Sequence, residues 1–348
     1  MTAAHTRLLA ELRGADEPRF GGKSTSLGEL LAAGIPVPPG FALSTSAFAA
    51  FLSAGGLEPR IADALAGVRE DEVASVQAAA DAIRAAVCAT PVPDDVRAEI
   101  AAVYDALGEP AVAVRSSAVG EDSGETTFAG QQETYLWVRG ADAVADAVRD
   151  CWASTFSAPA MSYRAKLAAG RAPEMGVTIQ AMVDAAVSGV MFTCNPVSGD
   201  PSVVAIDASW GLGLGVVGGE VTPDEFLVSK VTGEVVRRTV SEKHIEYRAD
   251  PSGAGTVCVA VDDARRSEPC LAEAQLSALV DVARRVQKHF GSHQDVEWAL
   301  DADGELFVVQ SRPVTAAGAK RDEAAAKPAP ASALSMVMRK FGAGGAGS

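Results

Sequence analysis

No stretch of this 348-residue chain approaches the roughly 18 to 20 apolar residues that a membrane span needs, so no membrane partner is expected. The first twenty residues are broken up by Arg7, Glu11, Arg13, Asp16, Glu17 and Arg19, and hold no apolar core of a secretory leader. Cysteine is scarce. Cys88, Cys151, Cys194, Cys258 and Cys270 are odd in number, widely spaced and without a CxxC pair, which argues against a disulfide frame or a zinc site and points to reduced thiols in the cytoplasm. Of only four histidines, His5, His244, His289 and His293, the last two alone have metal-ligand spacing; they flank Gly291 at a helix end and read as capping or surface residues. Lysine and arginine number 30 against 45 acids, a net charge of -15 that excludes a nucleic-acid backbone as partner. A polyanionic small ligand would have to be held by a few basic residues acting locally.

What the chain does contain is most informative near its C-terminus. Asp295-Val296-Glu297-Trp298-Ala299-Leu300 and Glu305-Leu306-Phe307-Val308-Val309-Gln310-Ser311-Arg312 flank Asp303-Gly304, the dipeptide of a tight hairpin. A two-residue turn centred there pairs residues whose numbers sum to 607. Glu297 then faces Gln310 and Asp295 faces Arg312, and all four polar groups share one face. Val296, Trp298, Leu300, Phe307 and Val309 are expected on the other. A carboxylate beside an amide oxygen, flanked by a guanidinium, suits a hard cation bridging to a phosphate. The alternative is a solvated hairpin with an incidental ion pair.

Elsewhere apolar spacing predicts helices from Lys23 to Ala33, from near Ser44, over 71–89, 94–107 and 141–156, and through Leu276 to Phe290. Strands are expected at 111–115, 133–138, 177–183, 187–193, 203–207, 226–228 and 234–240. Helices and strands without regular βαβ alternation indicate an α+β protein. Beyond Thr315 composition turns to Ala, Pro, Gly and charge, so a flexible tail is expected, with an apolar stripe at Leu334, Val337, Met338 and Phe341 suited to a short docking helix over 332–341.

Gly22-Lys23-Ser24 lacks the upstream glycine of a P-loop, since Glu17 stands there, but a lysine after two glycines can still reach a phosphate. Gly213-Leu214-Gly215-Val216-Val217-Gly218 matches GxGxxG, yet Gly219 and Pro223 leave no room for the helix a dinucleotide site requires. Val114-Arg115-Ser116-Ser117 sets an arginine and two hydroxyls before a glycine-rich loop, a layout for anion binding; a plain ion pair of Arg115 with Glu121 or Asp122 is the other reading.

These segments together, Phe20-Gly21-Gly22-Lys23-Ser24 with Ile35-Pro36-Val37-Pro38-Pro39-Gly40, Val114-Arg115-Ser116-Ser117, Phe128-Ala129-Gly130-Gln131-Gln132, Ser188-Gly189-Val190-Met191-Phe192, Asn195-Pro196, Val221-Thr222-Pro223-Asp224, Asp295-Val296-Glu297-Trp298 and Gln310-Ser311-Arg312-Pro313, resemble the N-terminal nucleotide-binding domain of phosphoenolpyruvate synthase and pyruvate phosphate dikinase. The resemblance runs in order over about residues 15 to 315. It implies a bilobal ATP-grasp fold, with lobes at 1–185 and 186–315 and a tail at 316–348. It also implies Lys23, Arg115 and Arg312 on the phosphates of ATP, Glu297 and Gln310 on Mg2+, and Asp295 in support. Ser116, Gly130 and Gln131 would join the phosphate site, with the 120–132 loop closing over it. The 180–184 strand, with Gln180, Met182 and Val183, would meet the adenine.

One departure is Leu214, where the family usually carries an acid in its Gly-Leu-Gly-Glu run. No histidine lies in the motif that the family phosphorylates, so the resemblance implies a histidine-bearing phosphotransferase subunit on a separate chain, as in phenylphosphate synthase, with a small phenolic or pyruvate-like acceptor. The expected function is that of the ATP-binding subunit of a split phosphotransferase. A non-catalytic nucleotide-binding regulatory module is the alternative.

Overall fold

The computed structural model describes residues 4–66, 68, 72–120, 134–158 and 174–314. The described residues fall into two compact units, one within 4–28, 39–182 and 253–255, the other within 29–38, 183–252 and 256–314.

The first unit is built on a five-stranded antiparallel sheet of β1 (Thr6–Leu8), β2 (Gly40–Leu43), β3 (Val112–Ala118), β4 (Thr134–Val138) and β5 (Met175–Ala181), in the order β1-β2-β5-β3-β4. Alternation splits β3 and β5 cleanly. Val112, Val114, Val177 and Ile179 enter the core, while Arg115, paired with Thr178, lies on the other face with Gln180. The core face is covered by helices with apolar residues at three- and four-residue spacing: α3 (Thr45–Ala54), α5 (Val73–Cys88), α6 (Asp94–Ala106) and α7 (Ala141–Ser154). Trp152 of α7 stacks on Phe48 at 5.5 Å and meets Phe51 at 4.9 Å between ring centroids, geometry that adds to the large area these rings bury. The polar face meets α2 (Gly22–Ala32), where the buried Ser24 hydroxyl bonds the Thr178 hydroxyl at 2.7 Å.

The second unit carries a six-stranded antiparallel sheet of β6 (Ala185–Phe192), β7 (Val203–Trp210), β8 (Asp224–Ser229), β9 (Val235–Thr239), β12 (Gln294–Asp301) and β13 (Leu306–Pro313), in the order β13-β12-β6-β7-β8-β9, beside a separate hairpin of β10 (Ile245–Ala249) and β11 (Thr256–Ala260). The amphipathic helix Glu273–Phe290 buries Leu276, Leu279, Val280, Ala283 and Val286, and Gly291 ends it in the left-handed conformation, donating to the Gln287 carbonyl at 2.9 Å. Near it, Lys243 and Asp224 form a wholly buried ion pair at 2.6 Å, whose remaining capacity is filled by the Ser241 and Cys270 N–H groups and the Ser241 carbonyl.

Several expectations are corrected. The hairpin is closed by three residues, Ala302 to Gly304, because Gly304 takes a φ of +82° and its N–H donates to the Asp301 carbonyl, so pairing near the turn sums to 606. A β-bulge between Glu297 and Trp298 then restores the sum of 607. Val308, rather than Phe307 or Val309, therefore shares the face of Trp298 and is fully buried, while Phe307, opposite Ala299, lies on the other face and is half-buried, as is Val309. A short helix does form at Leu214–Val217 in the glycine run. The expected strand through residue 184 stops at Ala181. Strands β1, β2, β10 and β11 lie outside the expected set, β2 inside a stretch that reads as glycine and proline punctuation. The 332–341 segment and the 121–133 part of the loop lie outside the described residues.

Candidate active site

In the first unit the chemistry gathers where α2 begins against the ends of β3 and β5. Gly21 has a φ of +76°, and a Cβ there would sit 2.0 Å from the Ser117 carbonyl oxygen. Gly176 is as restricted, its Cβ falling 2.5 Å from the Phe20 carbonyl oxygen. Only glycine permits this approach, which lets the Ser24 N–H donate to the Ser117 hydroxyl at 3.2 Å and the Lys23 ammonium to the Ser116 carbonyl at 3.2 Å. Lys23 and Arg115 are thus brought to one end of the sheet. Ser116 is a partial exception: it pairs with Val177, so its buried hydroxyl lies on the core face opposite Arg115, and its contribution toward Lys23 is the backbone carbonyl. Ser117, the second hydroxyl of the Arg115 motif, lies on the face of Arg115, and so does Thr178, a polar residue that motif reading missed.

Gln180 is buried, and its side-chain nitrogen finds no partner among the described residues. At the exit of β5 the Met182 N–H donates to the Ala111 carbonyl at 2.8 Å and the Val183 carbonyl accepts from Ala185 at 3.0 Å, while the Val183 N–H takes no backbone bond among the described residues. Gly130 and Gln131 lie outside the described residues.

In the second unit, β12 and β13 place Glu297 directly across from Gln310 and Asp295 across from Arg312, the predicted pairs. The Arg312 Nε and Nη2 groups both reach Asp295 Oδ2 at 3.0 Å. Burial pushes the Asp295 carboxyl up to about 6; Arg312 pulls it down and the neighbouring Glu297 adds to the rise. A buried carboxylate beside a half-buried one is a local excess of negative charge. No group of three His, Cys, Asp or Glu side chains able to hold a metal occurs among the described residues. The donor set instead fits Mg2+, which takes one or two carboxylates and fills its remaining positions with water and phosphate oxygens. Across the sheet the same row continues from Glu297 through Val190 to Asp207 and Glu225. Burial raises the pKa of Glu225, against the pull of Arg237.

The four histidines are spent elsewhere: His5 faces the Ser46 hydroxyl, His244 lies near Glu242, His289 bonds Glu29 at 2.9 Å and His293 bonds the Thr193 carbonyl at 3.1 Å.

Residues 17–332 match the family described as pyruvate phosphate dikinase, AMP/ATP-binding domain. The chain belongs to this family. It accordingly has the α+β ATP-grasp fold of the pyruvate phosphate dikinase N-terminal type. A probable phosphoenolpyruvate synthase of Methanothermobacter thermautotrophicus is 40% identical over 314 residues, covering 88% of this chain and 45% of that protein. A rifampicin phosphotransferase of a Streptomyces species is 41% identical over 315 residues, covering 89% of this chain and 36% of that protein. This chain therefore spans less than half the length of either relative. D-alanyl-alanine synthetase A of Vibrio cholerae aligns with a TM-score of 0.35 at 12% identity over 91% of this chain and 58% of that one, a likeness too remote to bear on function. Among the described residues no helix is long and apolar enough to cross a membrane.

Proposed function

We propose that the chain binds Mg-ATP and transfers a phosphoryl or pyrophosphoryl group to a histidine carried outside residues 1–348, on a partner subunit that passes it to a small hydroxyl or enol acceptor. Lys23, Arg115 and Arg312 would bind the phosphates and offset charge that builds on the transferred group. Glu297 and Gln310 would hold Mg2+, whose chemical contribution is to neutralise phosphate oxygens. Asp295 would orient Arg312. The exit of β5, with Gln180, Met182 and the Val183 N–H, would receive the adenine.

The observation that carries this reading is the pairing of Glu297 with Gln310 beside the Asp295–Arg312 ion pair on one hairpin. It is supported by family membership. The reaction breaks a P–O bond of ATP and forms a P–N bond to the acceptor imidazole, with ADP or AMP leaving. To test it, the chain is incubated with Mg2+, ATP labelled in its β- and γ-phosphates, and the histidine-bearing domain of a family member. The expected product is an acid-labile phosphohistidine on that domain. Label on His5, His244, His289 or His293 contradicts the proposal, and tight ATP binding without transfer favours the regulatory reading.

A further inference from the structure

The glycine run Gly211–Gly219 and Glu220 form a segment on the sheet face that carries Glu297. Val216 of its short helix packs on Val190, Phe192 and Ala205. Val190 and Phe192 are the cross-strand neighbours of Glu297 and Asp295. A displacement of this segment would therefore disturb the packing behind the acidic pair.

One residue outside the segment touches it at three points. The Tyr247 carbonyl accepts from the Leu212 N–H at 2.8 Å, at the start of the run. Its ring lies under the middle, since a Cβ on Gly215 would stand 3.5 Å from a ring carbon. Its hydroxyl donates to Glu220 Oε2 at 2.6 Å, at the end. Gly211, with a φ of +72° and a Cβ position 2.4 Å from that same carbonyl oxygen, has to be glycine for Tyr247 to approach. Tyr247 sits on β10, outside the six-stranded sheet, and none of these contacts is needed to form that sheet.

We propose that Tyr247 is a positioning residue for nucleotide binding: its hydroxyl, through Glu220, holds the Gly211–Glu220 segment in register over β6 and β7, beside the strand that carries Asp295 and Glu297. This rests on the function proposed above. The full chain is titrated with a non-hydrolysable ATP analogue and Mg2+ for the wild type, Tyr247→Phe, Glu220→Ala and the double variant. Loss of one hydrogen bond of ordinary strength predicts about fivefold weaker binding in each single variant. The double variant should be no weaker than either single one, because both remove the same contact. Thermal midpoints should fall by no more than about 4 °C, as expected for the loss of one such bond, and Arg238→Gln, which breaks the exposed Arg238–Glu273 pair, should leave affinity unchanged. Wild-type affinity in Tyr247→Phe, or single effects that simply multiply in the double variant, overturns the proposal. If Tyr247→Phe does not fold, Glu220→Ala alone decides, by the same criterion of affinity. A wild-type chain that binds no nucleotide overturns the function reading and this proposal together, whereas nucleotide binding that ignores both substitutions overturns only this one.

Discussion

The polar clusters of the two units are made in opposite ways. In the second unit Asp295, Glu297, Gln310 and Arg312 come from one hairpin, and local strand register puts them on a face. In the first, Lys23 and Ser24 reach Ser116, Ser117 and Thr178 from a distant part of the chain because Gly21 and Gly176 allow backbones to touch. A cluster set by register needs only the right alternation and tolerates change at its edges. A cluster set by close approach fails when a single atom is added.

The sharpest way to break that contrast is to add the same methyl group to each. Gly21→Ala meets both a φ of +76° and a Cβ 2.0 Å from the Ser117 oxygen, so a loss of about 3 kcal/mol or more is expected in urea denaturation. Gly304→Ala in the hairpin turn meets a φ of +82° but no atom within 4 Å, so the cost is conformational only, about 1 kcal/mol. Equal losses at the two sites would mean that close approach is not what builds the first cluster. Between these in size is Arg312→Gln, which leaves the buried Asp295 carboxylate without its cation and should cost about 2 kcal/mol. A stability change below about 0.5 kcal/mol there would show that the ion pair is a surface incident.

The same contrast explains what could be read from sequence. Asp303-Gly304 between apolar runs announced the hairpin, and both polar pairs came out opposite each other, although two one-residue errors cancelled: the turn is a residue longer than expected, and the bulge makes up the difference. The bulge leaves no local signature in Glu297-Trp298, so Val308 was missed as the buried partner. In the first unit the motif around Arg115 was visible but its sidedness was not fully used. Ser116 follows Arg115 in sequence and therefore points its hydroxyl to the opposite face. The Ser24–Thr178 contact joins residues 154 positions apart, and no local pattern predicts it. Strand β2 was hidden because Gly40 opens it, a position where the Ile179 carbonyl oxygen would lie 2.2 Å from any Cβ.

The central claim is that the hairpin face is a metal-and-phosphate site. It is tested most directly by titrating wild type and Glu297→Gln with a non-hydrolysable ATP analogue, each with and without Mg2+. Glu297 is half-buried and glutamine keeps its size, so folding stability should change by less than about 0.5 kcal/mol. Wild-type affinity should rise at least tenfold with Mg2+, and Glu297→Gln should lose most of that rise. A variant that responds to Mg2+ as strongly as the wild type would contradict the assignment of this hairpin as the metal site.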